Sequence, residues 1–409
     1  MGNQAKMDRA VVGVICEYDP FHLGHARQLE LIRQALPNAL ILCVMSGCFT
    51  QRGMPALLSP AFRAQAALRA GADCVLELPC AFAVRDAENF ALGGIGLLAS
   101  LGFVTHVSFG AEGAPQALRC AADLLEAPDE ALARRIAEAL AEGQPLAAAK
   151  GRALAARFPE HAEAFCQPNN LLAMCYLRAL RRLQSDIQPL IVRREGDYHA
   201  QGLETARFAQ ADTARVRSYP SATAVRAAYL RGDVAGANAA CGYELPLAPR
   251  CLPTALDSVL MYVLRSASSQ SLAALPDCTE GLENRLFTLA RAFATRDELL
   301  AALKTRRYLY TRLSRLCCHA MLGMTDELLR AHPAPEYARL LALNAAQTDM
   351  RELLAQSRLP IVSKAADGDL QSPLYQLDMR AYDLWALGAG VPAGMMLTQQ
   401  VQIAHSGRD

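Results

Sequence analysis

The sequence predicts an α/β fold, in which a parallel sheet carries helices on both faces and is followed by a mostly α-helical C-terminal region. Short apolar runs of strand length alternate with helical patterns through the first part of the chain. These runs are apolar at consecutive positions, which is typical of parallel strands buried on both faces. Beyond about residue 235 the strand signal fades and helical patterns dominate.

Each predicted strand is an apolar run that ends at a turn signal. The first strand breaks at Glu17-Tyr18-Asp19-Pro20, and the helical pattern behind it stops at Pro37-Asn38. Ser59-Pro60 opens the next helix, which Gly71 closes. Strands are expected at Val11–Cys16, Ala39–Met45, Cys74–Leu78, Val104–Phe109 and Pro189–Arg194. Later helices are expected at Glu88–Leu101, within Pro115–Ala164, and at Ala255–Ser266, Gly281–Ala294, Glu298–Ala302, Tyr308–Leu322 and Glu336–Ala355. A last small strand is expected at Leu359–Val362.

Composition limits the class of protein. Hydrophobic residues make up 52% and charged residues 20%, which excludes a disordered chain, and the net charge of +1 neither requires nor excludes a nucleic-acid partner. Thirteen cysteines without a C-x-x-C pair favour buried free thiols over structural zinc or a disulfide partner. We expect no targeting segment, a cytoplasmic location and no membrane span, since Asn89–Ala111 fits a buried helix plus a strand.

The turn after the first strand is the first candidate site. It places His22 and His25 three residues apart at the start of a helix, with Gly24 between them. A helix N-terminus at the carboxyl end of a parallel strand binds phosphate, and a glycine lets a nucleotide approach the backbone. An H-x-x-H pair elsewhere would more often be two surface histidines. In this position it predicts the H-x-G-H signature of nucleotidyltransferases.

A second signature lies about two hundred residues later. Ser221-Ala222-Thr223-Ala224-Val225-Arg226 opens a helix, with hydroxyls for phosphate oxygens and an arginine for the departing pyrophosphate. Alone, a capped helix with an arginine is common; in order behind the first signature it supports a nucleotide site. We therefore predict a nucleotidyltransferase-like ATP-binding catalytic domain over residues 8–235. A mostly helical domain over residues 236–409 follows it.

Several blocks of the sequence carry a narrower resemblance. The segment at Val12–His25 is similar to the start of one family, the bacterial tRNA(Met) cytidine acetate ligases, although Asp19 and Leu23 each replace an asparagine of that pattern. Further similar blocks follow in family order, at Val44–Pro55, Ala70–Pro79, Phe109–Glu112, Pro168–Leu171, Arg193-Arg194, Tyr198-His199, Ser221–Arg226, Glu280–Arg285 and Thr305–Arg315.

The resemblance implies a two-step reaction. Acetate and ATP would give acetyl-adenylate, and the acetyl group would pass to N4 of the wobble cytidine of elongator tRNA(Met). The implied catalytic residues are His22, His25, Thr223 and Arg226. Mg²⁺ is expected to accompany ATP, and no residue is assigned as a metal ligand. The residues of the implied ATP pocket are Ile15, Cys16, Glu17, Tyr18, Asp19, Pro20, Phe21, His22, Leu23, Gly24, His25, Ala26, Arg27, Gln28, Gly110, Asn169 or Asn170, Arg193 or Arg194, and Ser221.

A basic and aromatic segment is the candidate RNA-binding surface. Its cations are interleaved with Tyr308 and Tyr310, and such residues bind backbone phosphates and stack on bases. The expected RNA-binding residues are Arg52, Lys304, Arg306, Arg307, Arg312 and Arg315. A solvated amphipathic helix is the alternative interpretation. Glu17 and Glu77, both at strand ends, could position the incoming amine or acetate.

Two other functions fit part of this pattern. A small-molecule adenylyltransferase would share both signatures without acting on tRNA, but would not need the long helical C-terminal region. A nucleotide-sensing or RNA-binding protein with a degraded site would have lost signature residues. Here His22, Gly24, His25, Thr223 and Arg226 are all present.

Overall fold

The computed structural model describes residues 9–193, 219–305, 308–364 and 367–404. Arg194, Tyr198-His199, Arg306 and Arg307, named in the sequence-based predictions, lie outside these residues. The described strands are β1 (Val11–Cys16), β2 (Leu40–Ser46), β3 (Cys74–Leu78), β4 (His106–Ala111), β5 (Gln188–Arg193), β6 (Ala338–Asn344), β7 (Ile361–Val362) and β8 (Gln402–Ala404).

The helices alternate with β1–β5 and then dominate the chain. In the N-terminal part they are α1 (Leu23–Ala35), α2 (Pro60–Arg69), α3 (Cys80–Ala83), α4 (Ala87–Leu101), α5 (Pro115–Glu126), α6 (Glu130–Ala141), α7 (Leu146–Arg157), α8 (Pro168–Arg182), α9 (Ala222–Leu230) and α10 (Val234–Cys241). The others are α11 (Asp257–Ser266), α12 (Ser269–Ala273), α13 (Leu282–Leu289), α14 (Arg296–Leu303), α15 (Tyr310–Leu322), α16 (Asp326–Ala331), α17 (Thr348–Ala355), α18 (Pro373–Ala389) and α19 (Met395–Thr398).

The described strands form one mostly parallel sheet in the order β5-β4-β1-β2-β3-β6-β7, and β8 also pairs with β6. Strands β1–β5 are parallel to one another, and β6 runs antiparallel to β3. The sheet is buried on both faces: Val12 and Val14 pack in one apolar cluster, and Val11, Leu42 and Leu76 pack in another. The predicted fold class, a parallel sheet with helices on both faces, is therefore confirmed.

Close packing of α4 on β1 sets the position of the strand that leads into the site. A Cβ on Gly94 would lie 2.7 Å from Ile15 Cδ1, and one on Gly13 would lie 2.6 Å from Leu98 Cδ1. Asp86 caps the start of α4 by accepting from the backbone N–H groups of Glu88 and Asn89. Glycines thus allow a helix–strand approach that a side chain would prevent.

One predicted element was wrong. We expected a single helix over Glu336–Ala355, but the structure has strand β6 at Ala338–Asn344 and helix α17 at Thr348–Ala355. The segment ARLLALN is mostly apolar and is buried on both faces, and periodicity alone does not distinguish a buried strand from a buried helix segment. The small strand expected at Leu359–Val362 is confirmed as β7.

Buried polar contacts join the C-terminal elements to the sheet. Arg339 on β6 stands opposite Glu77 on β3, and Arg339 Nη1 donates to Glu77 Oε2 at 2.7 Å. On α18, Asp378 accepts from the backbone N–H of Cys80 at 2.7 Å, and the fully buried Trp385 donates to the carbonyl of Ala56 at 2.6 Å. Helix α18 therefore packs directly against the segments that follow β2 and β3.

The uncharged stretch Asn89–Ala111 is divided between α4 and β4, as predicted. Within the described residues, no helix combines the length and the apolar character that crossing a membrane requires.

Candidate active site at the carboxyl end of the first strand

The chain turns sharply between β1 and α1. Tyr18 adopts a left-handed backbone with φ of 50°, and His22 is the N-cap of α1. His22 Nδ1 accepts from the backbone N–H of Gly24 at 3.0 Å, and His25 Nδ1 accepts from the backbone N–H of His22 at 3.2 Å. The two imidazole rings stack with centroids 3.7 Å apart. The two histidines therefore form a reciprocal cap that fixes both rings at the helix N-terminus.

The same turn leaves little room around the two rings. Gly24 lies within this arrangement, because a Cβ there would come 2.9 Å from His22 Cε1. The turn thus places two stacked imidazoles beside the positive end of a helix, an arrangement suited to phosphate.

The second signature meets the first one directly. Ser221 caps α9 by accepting from the backbone N–H of Ala224 at 3.2 Å. Arg226 Nη1 donates to the carbonyl oxygen of Asp19 and lies 3.3 Å from Asp19 Oδ2, while Nη2 donates to Thr223 Oγ1 at 3.2 Å. Asp19 is buried, and its Oδ1 accepts from the backbone N–H of Leu57 at 2.8 Å. Its negative charge is therefore paired with Arg226.

A cavity of about 1800 Å³ opens at this junction. Its volume exceeds that of a typical small-molecule site, so it has room for more than one substrate. The predicted ATP-site residues that line it are Ile15, Cys16, Glu17, Tyr18, Asp19, Gly24, His25, Arg27, Gln28, Gly110, Asn169 and Arg193, and Arg226 also lines it. The signatures and the carboxyl ends of β1, β4 and β5 thus share one space.

The other predicted ATP-site residues that the structure describes do not line this cavity. They are Pro20, Phe21, His22, Leu23, Ala26, Asn170 and Ser221. Phe21 is buried, and its carbonyl accepts from Tyr243 Oη at 2.8 Å. The catalytic candidate Thr223 also does not line the cavity, and its Oγ1 accepts from Arg226 instead.

The two neighbouring asparagines have different surroundings. Asn170 is fully buried, accepts from the backbone N–H groups of Glu112 and Gly113 at 2.9 and 3.1 Å, and donates to the carbonyl of Ala164. Asn169 lines the cavity and donates to Glu112 Oε1 at 2.6 Å. Asn170 therefore braces the loop after β4, whereas Asn169 reaches the cavity.

Glu17 and Glu77 also differ. Glu17 lines the cavity, and its Oε1 accepts from the backbone N–H of Gln51 at 2.5 Å. Glu77 is 3% exposed, and its Oε2 accepts from Arg339 at 2.7 Å and from Tyr382 at 3.0 Å. Of the two strand-end carboxylates, the one at the end of β1 is placed to meet a substrate.

Three of the candidate RNA-binding arginines line the same cavity. Arg52, Arg312 and Arg315 form this part of the lining, the arginine wall, whereas Lys304 is exposed at the end of α14. Arg312 donates to the carbonyl of Asp277 at 2.7 Å and lies 5.4 Å above the Tyr308 ring. These contacts hold the Arg312 guanidinium in the cavity lining.

Arg315 is the most buried of these arginines, at 7% exposure. Its Nε lies 4.0 Å from Asp277 Oδ2, and among the described residues it has no hydrogen-bond partner. Burial lowers the pKa of its guanidinium. The solvated-helix alternative therefore does not describe the inner face of α15.

Sequence reasoning missed the residue that anchors the strand ends. Arg63 on α2 is fully buried, and its guanidinium donates to the carbonyl oxygens of Glu17, Ser46, Gly47 and Leu58. The only signal for it was one arginine within an alanine-rich, apolar helix. It also missed Lys150 and Arg178, which line the cavity and pair with Glu88.

The class of protein follows from this fold and site. The family model for HIGH Nucleotidyl Transferase matches residues 9–397, so the chain belongs to that family of nucleotidyl transferases. Within it, a tRNA(Met) cytidine acetate ligase of Clostridium perfringens is 30% identical over 92% of this chain and 94% of that protein. A tRNA(Met) cytidine acetate ligase of Acetivibrio thermocellus is 30% identical over 96% of this chain and 99% of that protein. The chain is therefore a member of the tRNA(Met) cytidine acetate ligase family, as its sequence blocks indicated.

Solved structures have the same fold. The crystal structure of Thermotoga maritima TmcAL in its apo form I aligns with a TM-score of 0.84, covering 97% of this chain and 100% of that chain at 24% identity. A second form, bound with alpha-thio ATP, aligns with a TM-score of 0.82 at the same identity.

Proposed function

We propose that the protein activates acetate with ATP and transfers the acetyl group to N4 of the wobble cytidine of elongator tRNA(Met). The observation that carries this function is one cavity whose lining includes residues of two kinds. His25 and Arg226 belong to the nucleotide signatures, and Arg52, Arg312 and Arg315 belong to the arginine wall. An enzyme that joins a nucleotide-activated acid to an RNA base needs both sets of residues within reach of one reacting group.

The first step brings together two anions. A carboxylate oxygen of acetate attacks the α-phosphorus of ATP, and pyrophosphate leaves. His25, which lines the cavity, and the N-terminus of α1 stabilise the charge on the phosphates, and His22 holds the His25 ring through their reciprocal cap. Arg226 provides a planar fork for the leaving pyrophosphate, and Thr223 fixes that fork by accepting from Nη2. Catalysis of this step is mainly positioning and electrostatic stabilisation.

The other ATP contacts follow from the cavity wall. Gly110, Asn169 and Arg193 line it at the ends of β4, α8 and β5, and we assign the ATP contact to Asn169 rather than Asn170. Among the described residues, no group of three His, Cys, Asp or Glu side chains could hold a metal ion. Mg²⁺ would thus enter on the ATP phosphates, where it supplies positive charge.

The second step consumes the adenylate. The N4 amine of cytidine attacks the acetyl carbonyl carbon, a C–N bond forms, and AMP leaves. An anticodon loop presents its bases single-stranded, so a base can enter the cavity without opening a duplex. The arginine wall binds the RNA backbone around that base. We accordingly assign the ATP chemistry to residues 8–235 and part of the tRNA binding to residues 236–409. We assign the protein to the cytoplasm, where its tRNA substrate is found.

Isotope exchange tests the proposal. Acetate should drive exchange of labelled pyrophosphate into ATP, and labelled acetate should then appear in purified tRNA(Met). If pyrophosphate exchange does not depend on acetate but is stimulated by a phosphopantetheine-like acceptor, the protein is instead a small-molecule adenylyltransferase.

A further inference from the structure

Glu17 is a carboxylate in a cavity built for anions. It lines the cavity beside Asp19 and Arg226 on the nucleotide side, and Arg52 also acts on its charge from the arginine wall. An ionised carboxylate repels both ATP and acetate. Binding either substrate therefore does not explain its presence, whereas an N–H group of a third substrate would be attracted to it.

The structure holds this carboxylate in one place. Glu17 is the residue after β1, and its carbonyl oxygen accepts from Arg63 Nη1 at 2.5 Å. Its Oε1 accepts from the backbone N–H of Gln51 at 2.5 Å. No other residue in the described part of the chain hydrogen-bonds to Oε2. One oxygen is thus anchored while the other remains for a substrate.

The anchor of Glu17 is attached to the arginine wall. Gln51 precedes Arg52, whose carbonyl oxygen accepts from Ser314 Oγ at 2.5 Å. Gln51 also donates through Nε2 to the carbonyl of Arg85 at 2.6 Å. The loop that fixes Glu17 therefore connects the end of β1 to α15, the helix that carries Arg312 and Arg315.

We propose that Glu17 is the general base of acetyl transfer and accepts the proton that cytidine N4 loses. As the N4–acetyl bond forms and the bond from the acetyl carbon to the AMP oxygen breaks, the N4 proton passes to Glu17 Oε2. AMP departs with the electron pair of the broken bond. This inference rests on the proposed function and adds a residue for its second step.

The electrostatics of Glu17 suit this task. Burial raises the pKa of the Glu17 carboxyl, an effect that the Gln51 N–H opposes. Asp19 raises this pKa further, Arg226 and Arg52 lower it, and Tyr176 is a further titratable group close to Glu17. A carboxylate with a raised pKa is a stronger base, and transfer to it costs less free energy near neutral pH.

The test separates the two steps in the full-length protein. Glu17→Gln keeps an oxygen for the Gln51 N–H but cannot take a proton. We expect acetate-dependent pyrophosphate exchange to persist, and hydroxylamine to trap the acetyl group as acetohydroxamate at the wild-type rate. Single-turnover acetyl transfer to tRNA(Met) should fall about 10²- to 10⁴-fold, the range that a general base supplies. Glu17→Asp should restore part of it.

A matched control is an exposed glutamate outside the cavity lining. Glu130 begins α6 and pairs with the exposed Arg134, so Glu130→Gln should change either step by no more than about twofold. Equal losses of exchange and transfer in Glu17→Gln would overturn the proposal and place Glu17 in activation. Full transfer activity would also overturn it.

The wild-type protein gives an independent reading if Glu17→Gln fails to fold. Its single-turnover transfer rate should rise with pH as Glu17 ionises, whereas hydroxamate formation should not share that profile. A common profile would overturn the assignment. Absence of acetate-dependent exchange in the wild type would instead refute the proposed function itself.

Discussion

Arg226 and Asp19 lie 207 positions apart, and they join the two signature segments of the site in direct contact. The Arg226 guanidinium donates to the backbone carbonyl of Asp19 and lies 3.3 Å from its carboxylate. Asp19 also accepts from the backbone N–H of Leu57. Asp19 is therefore a structural link between α9 and the β1–α1 turn.

Replacing Asp19 with asparagine should improve ATP binding. The amide oxygen of the new side chain can still accept from the Leu57 N–H, but the substitution removes a negative charge beside the triphosphate that competes for Arg226. We expect KM for ATP in the exchange reaction to fall about twofold to tenfold, as for a charge interaction of about 1 kcal/mol. Asp19→Ala is the contrasting variant. It leaves the buried Leu57 N–H unpaired and should destabilise the fold by about 1–3 kcal/mol in urea unfolding. An unchanged KM in Asp19→Asn would show that Asp19 does not act on the phosphates.

His25→Ala should remove adenylate formation while sparing tRNA binding. The substitution deletes one imidazole donor and breaks the reciprocal cap with His22. Loss of a preorganised donor costs about 10²–10³-fold in rate, so acetate-dependent pyrophosphate exchange should fall by at least that much. A filter-binding assay should give nearly the wild-type affinity for tRNA. A parallel loss of affinity for tRNA would mean that the histidines also contribute to tRNA binding, contrary to the proposal.

Local patterns in the sequence predicted the sheet and both signature segments, because these depend on neighbouring residues. The His22–His25 turn is a property of one strand end and one helix start. Strand β6 was missed because its identity depends on pairing with β3, far away in the chain. Arg63 and the Gln51–Glu17 hydrogen bond were missed for the same reason. Their roles come from tertiary contacts that no spacing in the sequence records.

Arg306 and Arg307, which lie outside the described residues, remain predicted RNA contacts. Replacing both with alanine should weaken tRNA binding and reduce the steepness of its salt dependence by about one unit per lost phosphate contact. Affinities measured over a range of salt concentrations check this. Arg330→Ala is the control, since Arg330 is exposed on α16 and pairs with Asp326. An unchanged salt slope in the double variant would remove these arginines from the interface.

Asp378 should make stability depend on pH. Burial, and then the charge of Glu77, raise its pKa from 3.8 to about 7, while Tyr337, the Cys80 N–H and Arg339 oppose that rise. Between these values the folded protein holds a proton that the unfolded chain has lost. Its contribution to stability is therefore present below about pH 4 and is lost as pH rises towards 7, with a slope of up to about 1.4 kcal/mol per pH unit. Urea unfolding of wild type and Asp378→Asn across this range should show a difference that levels off above pH 7. A constant difference would contradict the assignment.

Gly53 should couple the arginine wall to acetyl transfer. Its φ is 73°, and a Cβ there would lie 2.7 Å from Arg315 Cα and 2.8 Å from the Ser314 carbonyl oxygen. Both are backbone atoms of α15, so the loop that contains Gln51 would have to move. Gly53→Ala should therefore destabilise the protein by about 1–3 kcal/mol in urea unfolding. It should also reduce acetyl transfer more than pyrophosphate exchange, because Gln51 holds Glu17.

Gly71 provides the matched control for this substitution. It has a φ of 106°, but nothing lies within 4 Å of where its Cβ would be, and it is remote from the Gln51 loop. Gly71→Ala should carry a similar backbone strain without displacing Glu17, so the ratio of transfer to exchange should stay at the wild-type value. If both alanine variants lower the two steps in the same proportion, the loop does not transmit the position of α15 to Glu17. If only Gly53→Ala changes the ratio, contact between this loop and α15 sets the geometry of the transfer step.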